Sequence, residues 1–115
     1  MLHDMSPIFD ESHYAVIFTT KSRADNGEEY LDMATEMEEL AAKQPGYLGV
    51  DSARTPGGVG ITVSYWRDMA SIKGWRDHAR HQVAQQTGKD QFYEMYTLRV
   101  ALVQHGRWWT MHEPA

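Results

Sequence analysis

Apolar positions along the chain change period several times, and each change marks an element. "HYAVIFTTK" (13–21) is a β-branched, apolar run, which predicts a buried strand. From Glu28 to Lys43 the apolar residues Tyr30, Met33, Ala34, Met37, Leu40 and Ala41 recur at intervals of three and four. Glu36, Glu38 and Glu39 fall mostly on the other face, so this segment predicts an amphipathic helix. Asp25 and Asn26 are cap candidates before it, and Pro45-Gly46 stops it. "YLGVDSAR" (47–54) and "VGITVSYW" (59–66) are strands joined by "TPGG" (55–58), an antiparallel hairpin. Residues 69–86 have helical composition, with Gly74 as a weak point and Gly88 as the end. Read as one straight helix, they put Ile72, Trp75, Ala79 and Val83 on an apolar stripe, His78 at its border and His81 almost opposite. "QFYEMYTLRVALVQH" (91–105) is the last and longest strand.

The order strand, helix, strand, strand, helix, strand predicts an α+β, ferredoxin-like antiparallel sheet with two helices on one face. Residues 13–105 form this domain, residues 1–12 a flexible N-terminal arm and residues 106–115 a C-terminal tail. The last strand carries apolar residues on both faces: Phe92, Tyr96, Leu98, Val100 and Leu102 on one, Tyr93, Met95, Ala101 and Val103 on the other. A chain of 115 residues is too short to cover both sides of its sheet. Two such sheets packed face to face, a dimeric α/β barrel, would satisfy the pattern.

Composition narrows the chemistry. There are no cysteines, which excludes disulfides, thiol nucleophiles and iron–sulfur clusters. The formal charge of −5 makes a nucleic acid an unexpected partner. No apolar run approaches the roughly 18 residues of a membrane span, and "MLHDMSPIFD" lacks the features of a secretory signal. The expectation is a soluble, cytoplasmic protein with no membrane partner.

Two of the four tryptophans and two of the six histidines fall between Trp66 and His81. Packed aromatics and solvated histidines are the plainer account of them. Three features favour a pocket. Trp66 ends a strand beside the helix that carries Trp75. His78 lies one turn from Trp75 and is able to move a proton near neutral pH. The last strand brings Tyr93, Tyr96 and Arg99, polar groups that need partners on a sheet. A metal on His78 and His81 would require a third ligand, for which Asp77, Glu94 and His105 are loose candidates, and no metal is expected. "TPGGVG" lies between strands and is a hairpin turn, not a phosphate cradle.

Across residues 13–105 the chain resembles the antibiotic biosynthesis monooxygenase (ABM) family of the dimeric α/β-barrel superfamily. The resemblance rests on Tyr65-Trp66, Trp75, His78, His81, Ala84-Gln85 and Gly88, and on "FYEMYTLRVALV" (92–103). It implies a homodimer with a pocket between sheet and helices in each protomer. Some members oxygenate polycyclic phenols without metal or flavin, using electrons from the substrate. By that resemblance His78, Trp75 and Arg99 are the catalytic candidates, with His78 as base. Trp66, Tyr93, Tyr96 and His81 are the substrate-binding candidates for a small aromatic molecule, with Tyr96 and Arg99 stabilising oxyanion charge, and no cofactor is expected. Other members bind and open haem, using an asparagine on the first strand, a tryptophan and a histidine about ten residues later. Here Trp75 matches, but Gln85 stands at the histidine's place and "YAVIFTTK" has no asparagine; haem ligation would fall to His78 or His81 from a kinked helix. Relatives often have proline after the first histidine. Ala79 stands there, which leaves the kink open. A ligand-binding dimer without catalysis is the third reading.

Overall fold

The computed structural model describes residues 5–9, 11–23 and 28–112. Its elements are strand β1 (His13–Ser22), helix α1 (Glu28–Ala41), strands β2 (Tyr47–Arg54) and β3 (Val59–Trp66), helices α2 (Met69–Arg76) and α3 (Ala79–Thr87), a π-helical turn (Gly88–Phe92) and strand β4 (Tyr93–Val103). The cap candidates Asp25 and Asn26 lie outside the described residues. The strands form one antiparallel sheet in the order β2-β3-β1-β4, which is the ferredoxin-like arrangement. The predicted hairpin is present. Thr55 N–H donates to the Val59 carbonyl at 2.8 Å, and Gly58 takes a positive φ of 91° to close the turn.

Register assigns every strand residue to a face. Tyr14 pairs with Trp66 and Leu102, and Trp66 pairs in turn with Tyr47, so Tyr47, Trp66, Tyr14 and Leu102 form one row across the sheet. This row faces the helices, because Trp66 stacks near Trp75 of α2. Trp66 is fully buried, and its indole N–H donates to Ser64 Oγ at 2.9 Å. Around it Val16, Phe18, Val50, Met37, Leu40 and Ile72 are partly exposed.

One expectation changes here. The straight helix over 69–86 is two helices, broken at Asp77-His78. Gly88 ends the second, as its C-cap. The chain continues through a π-helical turn, and Gly88 is needed because a Cβ there would come within 2.4 Å of the Tyr93 ring. The Arg23 guanidinium binds the carbonyls of Lys89, Asp90 and Tyr93 and so fixes this turn to the end of β1.

Residues 5–9 are tied to the sheet face opposite the helices. Ser6 N–H donates to Asp51 Oδ1 at 2.7 Å, and Ser6 Oγ donates to the Val50 carbonyl at 3.1 Å. The second oxygen of Asp51 accepts the Tyr65 hydroxyl at 2.8 Å. Burial, then the bond to this carboxylate, push Tyr65 up to about 12. Gly49 lets the arm cross, since a Cβ there would meet Ser6 Oγ at 2.3 Å. Phe9 packs edge-on against His13, which meets Tyr65 in the same way. Asp51→Ala strands two donors at once. It is expected to lower stability by about 2 kcal/mol in urea denaturation and to make the arm more susceptible to proteolysis; an unchanged midpoint would show that the arm is not anchored there.

Candidate functional site

The break between α2 and α3 builds the site. His78 has extended backbone (φ −60°, ψ 128°), and its Nδ1 accepts the Arg80 N–H at 3.2 Å as the N-cap of α3. Asp77 supports the break by binding Lys73 Nζ at 2.6 Å, an exposed pair. In an uninterrupted helix the Trp75 carbonyl would accept the N–H of residue 79. Here the chain turns away, and that carbonyl takes the His78 N–H at 3.1 Å and the His81 ring at 2.9 Å instead.

A carbonyl only accepts, so the His81 proton sits on Nδ1 and its Nε2 carries a lone pair. Among the described residues nothing bonds to that Nε2. Burial, partly opposed by the bond to Trp75, holds the His81 imidazole below its ordinary value of 6.5, and the nearby His78 adds to the lowering. His81 is therefore a neutral base at neutral pH. His78 has the reverse tautomer: Nδ1 accepts from Arg80, leaving Nε2 to carry the proton as a donor.

The rings form a column. His81 stacks on Trp75 with centroids 4.2 Å apart and planes 10° apart, and Trp75 lies 6.5 Å from Trp66 at 22°. His78 is tilted beside Trp75 at 5.5 Å, and Tyr47 meets Trp66 edge-on at 5.5 Å. Trp66, Trp75, His78 and His81 thus come together, with His81, expected opposite the stripe, held on the Trp75 face by the helix break.

Arg99 and the two tyrosines are elsewhere. Arg99 pairs with Ile17, which puts it on the sheet face away from the helices, where its guanidinium donates to Thr97 Oγ1 at 3.2 Å. It cannot share a pocket with Tyr96 or His78 of the same protomer. A bulge opposite Lys21/Ser22 places Tyr93 and Tyr96 on one face despite their odd spacing, and both pack on Phe18. They stand opposite Ser22 and Thr20, while Trp66 stands opposite Tyr14. Six residues of strand separate Thr20 from Tyr14, about 20 Å, so the tyrosines belong to a second aromatic group with Tyr30 and Phe92. Burial, followed by the neighbouring Tyr30, pushes the Tyr93 phenol far up, so it stays protonated.

A cleft of about 330 Å³ opens between α1 and α3, lined by Met33, Val83, Ala84 and the Glu36–Arg80 pair among others; it does not include the ring column. Among the described residues no three His, Asp or Glu side chains gather as a metal site, and no helix is long and apolar enough to cross a membrane. Sequence reasoning missed Asp51 and Ser6, whose pairing has no periodic signal, and Tyr47, whose place beside Trp66 follows from strand pairing.

The fold and the ring column define a ferredoxin-like α+β protein with a tryptophan–histidine site at the join of two helices. The sequence pattern of the family described as "Antibiotic biosynthesis monooxygenase" matches residues 13–87, and the chain belongs to that family. It is 46% identical over 108 residues to the uncharacterized protein YqjZ of Bacillus subtilis, covering 93% of each. It is 34% identical over 93 residues to the jasmonate monooxygenase ABM of Pyricularia oryzae, covering 78% of this chain and 43% of that one. A dimeric ferredoxin-like protein of unknown function from Thermobifida fusca has the same fold, with a TM-score of 0.68 at 12% identity over 88% of this chain and 100% of that chain.

His81 makes stability depend on pH. Above 6.5 it is neutral folded and unfolded; as pH falls below 6.5 the unfolded chain takes up a proton that the folded state resists. Its contribution therefore declines from pH 6.5 down through its lower folded value. Relative to the wild type, His81→Gln should show a shallower loss of urea stability between pH 7 and pH 5; parallel profiles would mean that the folded protein does not resist protonation of this ring.

Proposed function

We propose that the protein is a monooxygenase that acts on a small aromatic, phenolic substrate, works as a homodimer, and uses the substrate itself as the electron source. The observation that carries this reading is His81, neutral, with Nδ1–H bound to the Trp75 carbonyl and Nε2 free, stacked on an indole. Its family membership and the similarity to a jasmonate monooxygenase support the reaction class. The Thermobifida relative, described as dimeric, and the uncovered sides of β4 support the homodimer.

In this reading the Trp75 indole is the apolar wall for an aromatic ring, with Trp66 fully buried behind it as its support. The roles of the two histidines follow their tautomers. His81 Nε2 takes the proton from the phenol or from the activated CH₂, and His78 Nε2–H donates to the oxygen that gains negative charge. The resulting anion transfers electrons to dioxygen. For an anthrone-type substrate the balance closes without another reductant: the ring CH₂ and O₂ give a ring C=O and H₂O. The carbon gains one oxygen atom and supplies all four electrons. The proton held by His81 leaves with the second oxygen atom as water.

An anthrone-type phenol should consume one equivalent of oxygen per quinone formed in metal-depleted buffer. His81→Gln should lower kcat about 100-fold or more, the scale of a general base, with a smaller effect on KM. The wild-type rate should hold through pH 6.5 and fall only as the pH drops through the lowered pKa of folded His81. Oxygen uptake that survives His81→Gln would overturn the mechanism. A Soret shift on adding hemin, abolished by His81→Gln, would reassign the site to haem.

A further inference from the structure

We infer that the C-terminal tail of each protomer crosses to a second copy of this chain, where Trp109 packs on the uncovered helix-side row of β4 beside the partner's ring column. This rests on the homodimer reading above.

The receiving surface is an apolar row that its own protomer leaves bare. Leu98, Val100 and Leu102 point to the helix side of the sheet, yet are 49%, 43% and 50% exposed. They are bare because β4 is the edge strand, outside the cover of the helices. Leu102 lies in the same row as Tyr14 and Trp66, so this surface continues the floor beneath the ring column. The outer edge of β4 is likewise unpaired, a feature that proteins usually cover.

The tail has the chemistry to cover it. After Val103 the described chain has no helix or strand and presents Trp109, 81% exposed, and Met111 to solvent. Tryptophan and methionine are enriched at the centres of interfaces. The nine residues 104–112 span up to about 30 Å when extended, enough to pass around a strand edge.

The tail's direction points to the second copy. Gly106 packs closely on Ile8, where a Cβ would lie 2.8 Å from Ile8 Cγ2. The arm that carries Ile8 crosses the sheet face opposite the helices. The tail therefore leaves β4 on the side away from its own bare row. The molecule's surface agrees. It exposes 8312 Å², about 1,900 Å² more than the roughly 6,400 Å² expected of a folded monomer of this mass. A large dimer interface buries about 1,000–2,500 Å² per partner.

The test is complementation between two full-length variants, one with the tail disabled (Trp109→Asp) and one with the receiving row disabled (Val100→Asp). Leu98→Asp replaces the latter if it fails to fold by circular dichroism. Light scattering against concentration should show a wild-type dimer, with the dimer Kd of each variant weakened about tenfold or more, the scale of a buried tryptophan anchor. An equimolar mixture of the two should regain dimer, because a mixed pair keeps one intact junction where each variant alone has none. If either variant dimerises like the wild type, the junction is wrong although the homodimer stands. If both are weakened and the mixture regains nothing, the tail packs on its own protomer. If the wild type is monomeric at every concentration, the homodimer reading itself fails.

Discussion

The hydrogen bond between the Trp75 carbonyl and His81 Nδ1 organises this molecule's chemistry. It exists because the helix stops. A carbonyl one residue from the end of α2 has lost its usual donor, and an unsatisfied backbone oxygen is costly. The His78 N–H replaces it, and the imidazole from the first turn of α3 supplies a second donor. In doing so it is turned flat against the Trp75 indole, its tautomer is set and its second nitrogen is left as a lone pair. One contact bonds the backbone carbonyl and sets the tautomer of the ring. His78 completes the arrangement: as the cap of α3 it holds the break open, and its own tautomer becomes the complement of that of His81.

The sheet supports the ring column. Trp66 anchors the column from below, fully buried, while the side chains around it are only partly covered. The partial cover continues to β4, whose apolar residues are exposed on both faces. The arm at residues 5–9 covers part of one face through Asp51 and Tyr65. Leu98, Val100 and Leu102 on the helix side of β4 stay 43–50% exposed. The row beneath the ring column runs onto that surface.

Much of the fold was legible because burial imposes periods. The β-branched run at 13–21, the three-and-four spacing of α1 and the turn at 55–58 each had one reading, and the structure has those elements. The break at residues 77–78 was not legible because Ile72, Trp75, Ala79 and Val83 fit a continuous stripe. After the break Ala84 is buried and Val83 is half-exposed, a rotation that no spacing rule announces. The tendency of Asp77 and His78 to cap was the available signal. Alternation along β4 already separated Arg99 from Tyr96, and the structure follows alternation rather than the need of polar groups for partners. Tyr93 escaped the same rule because the bulge shifts parity by one. The aromatic residues that meet in the site were identifiable by type and proximity, but their tautomers and stacking depend on a backbone break that only the three-dimensional structure contains.

The most direct measurement is the nitrogen-15 NMR titration of the histidine rings in the wild type and in His78→Ala. The account predicts that wild-type His81 is the Nδ1–H tautomer and titrates below 6.5. Loss of the cap should move both its tautomer balance and its pKa toward those of a free imidazole. A His81 that is protonated on Nε2, or that titrates at or above 6.5 in the wild type, would contradict the account.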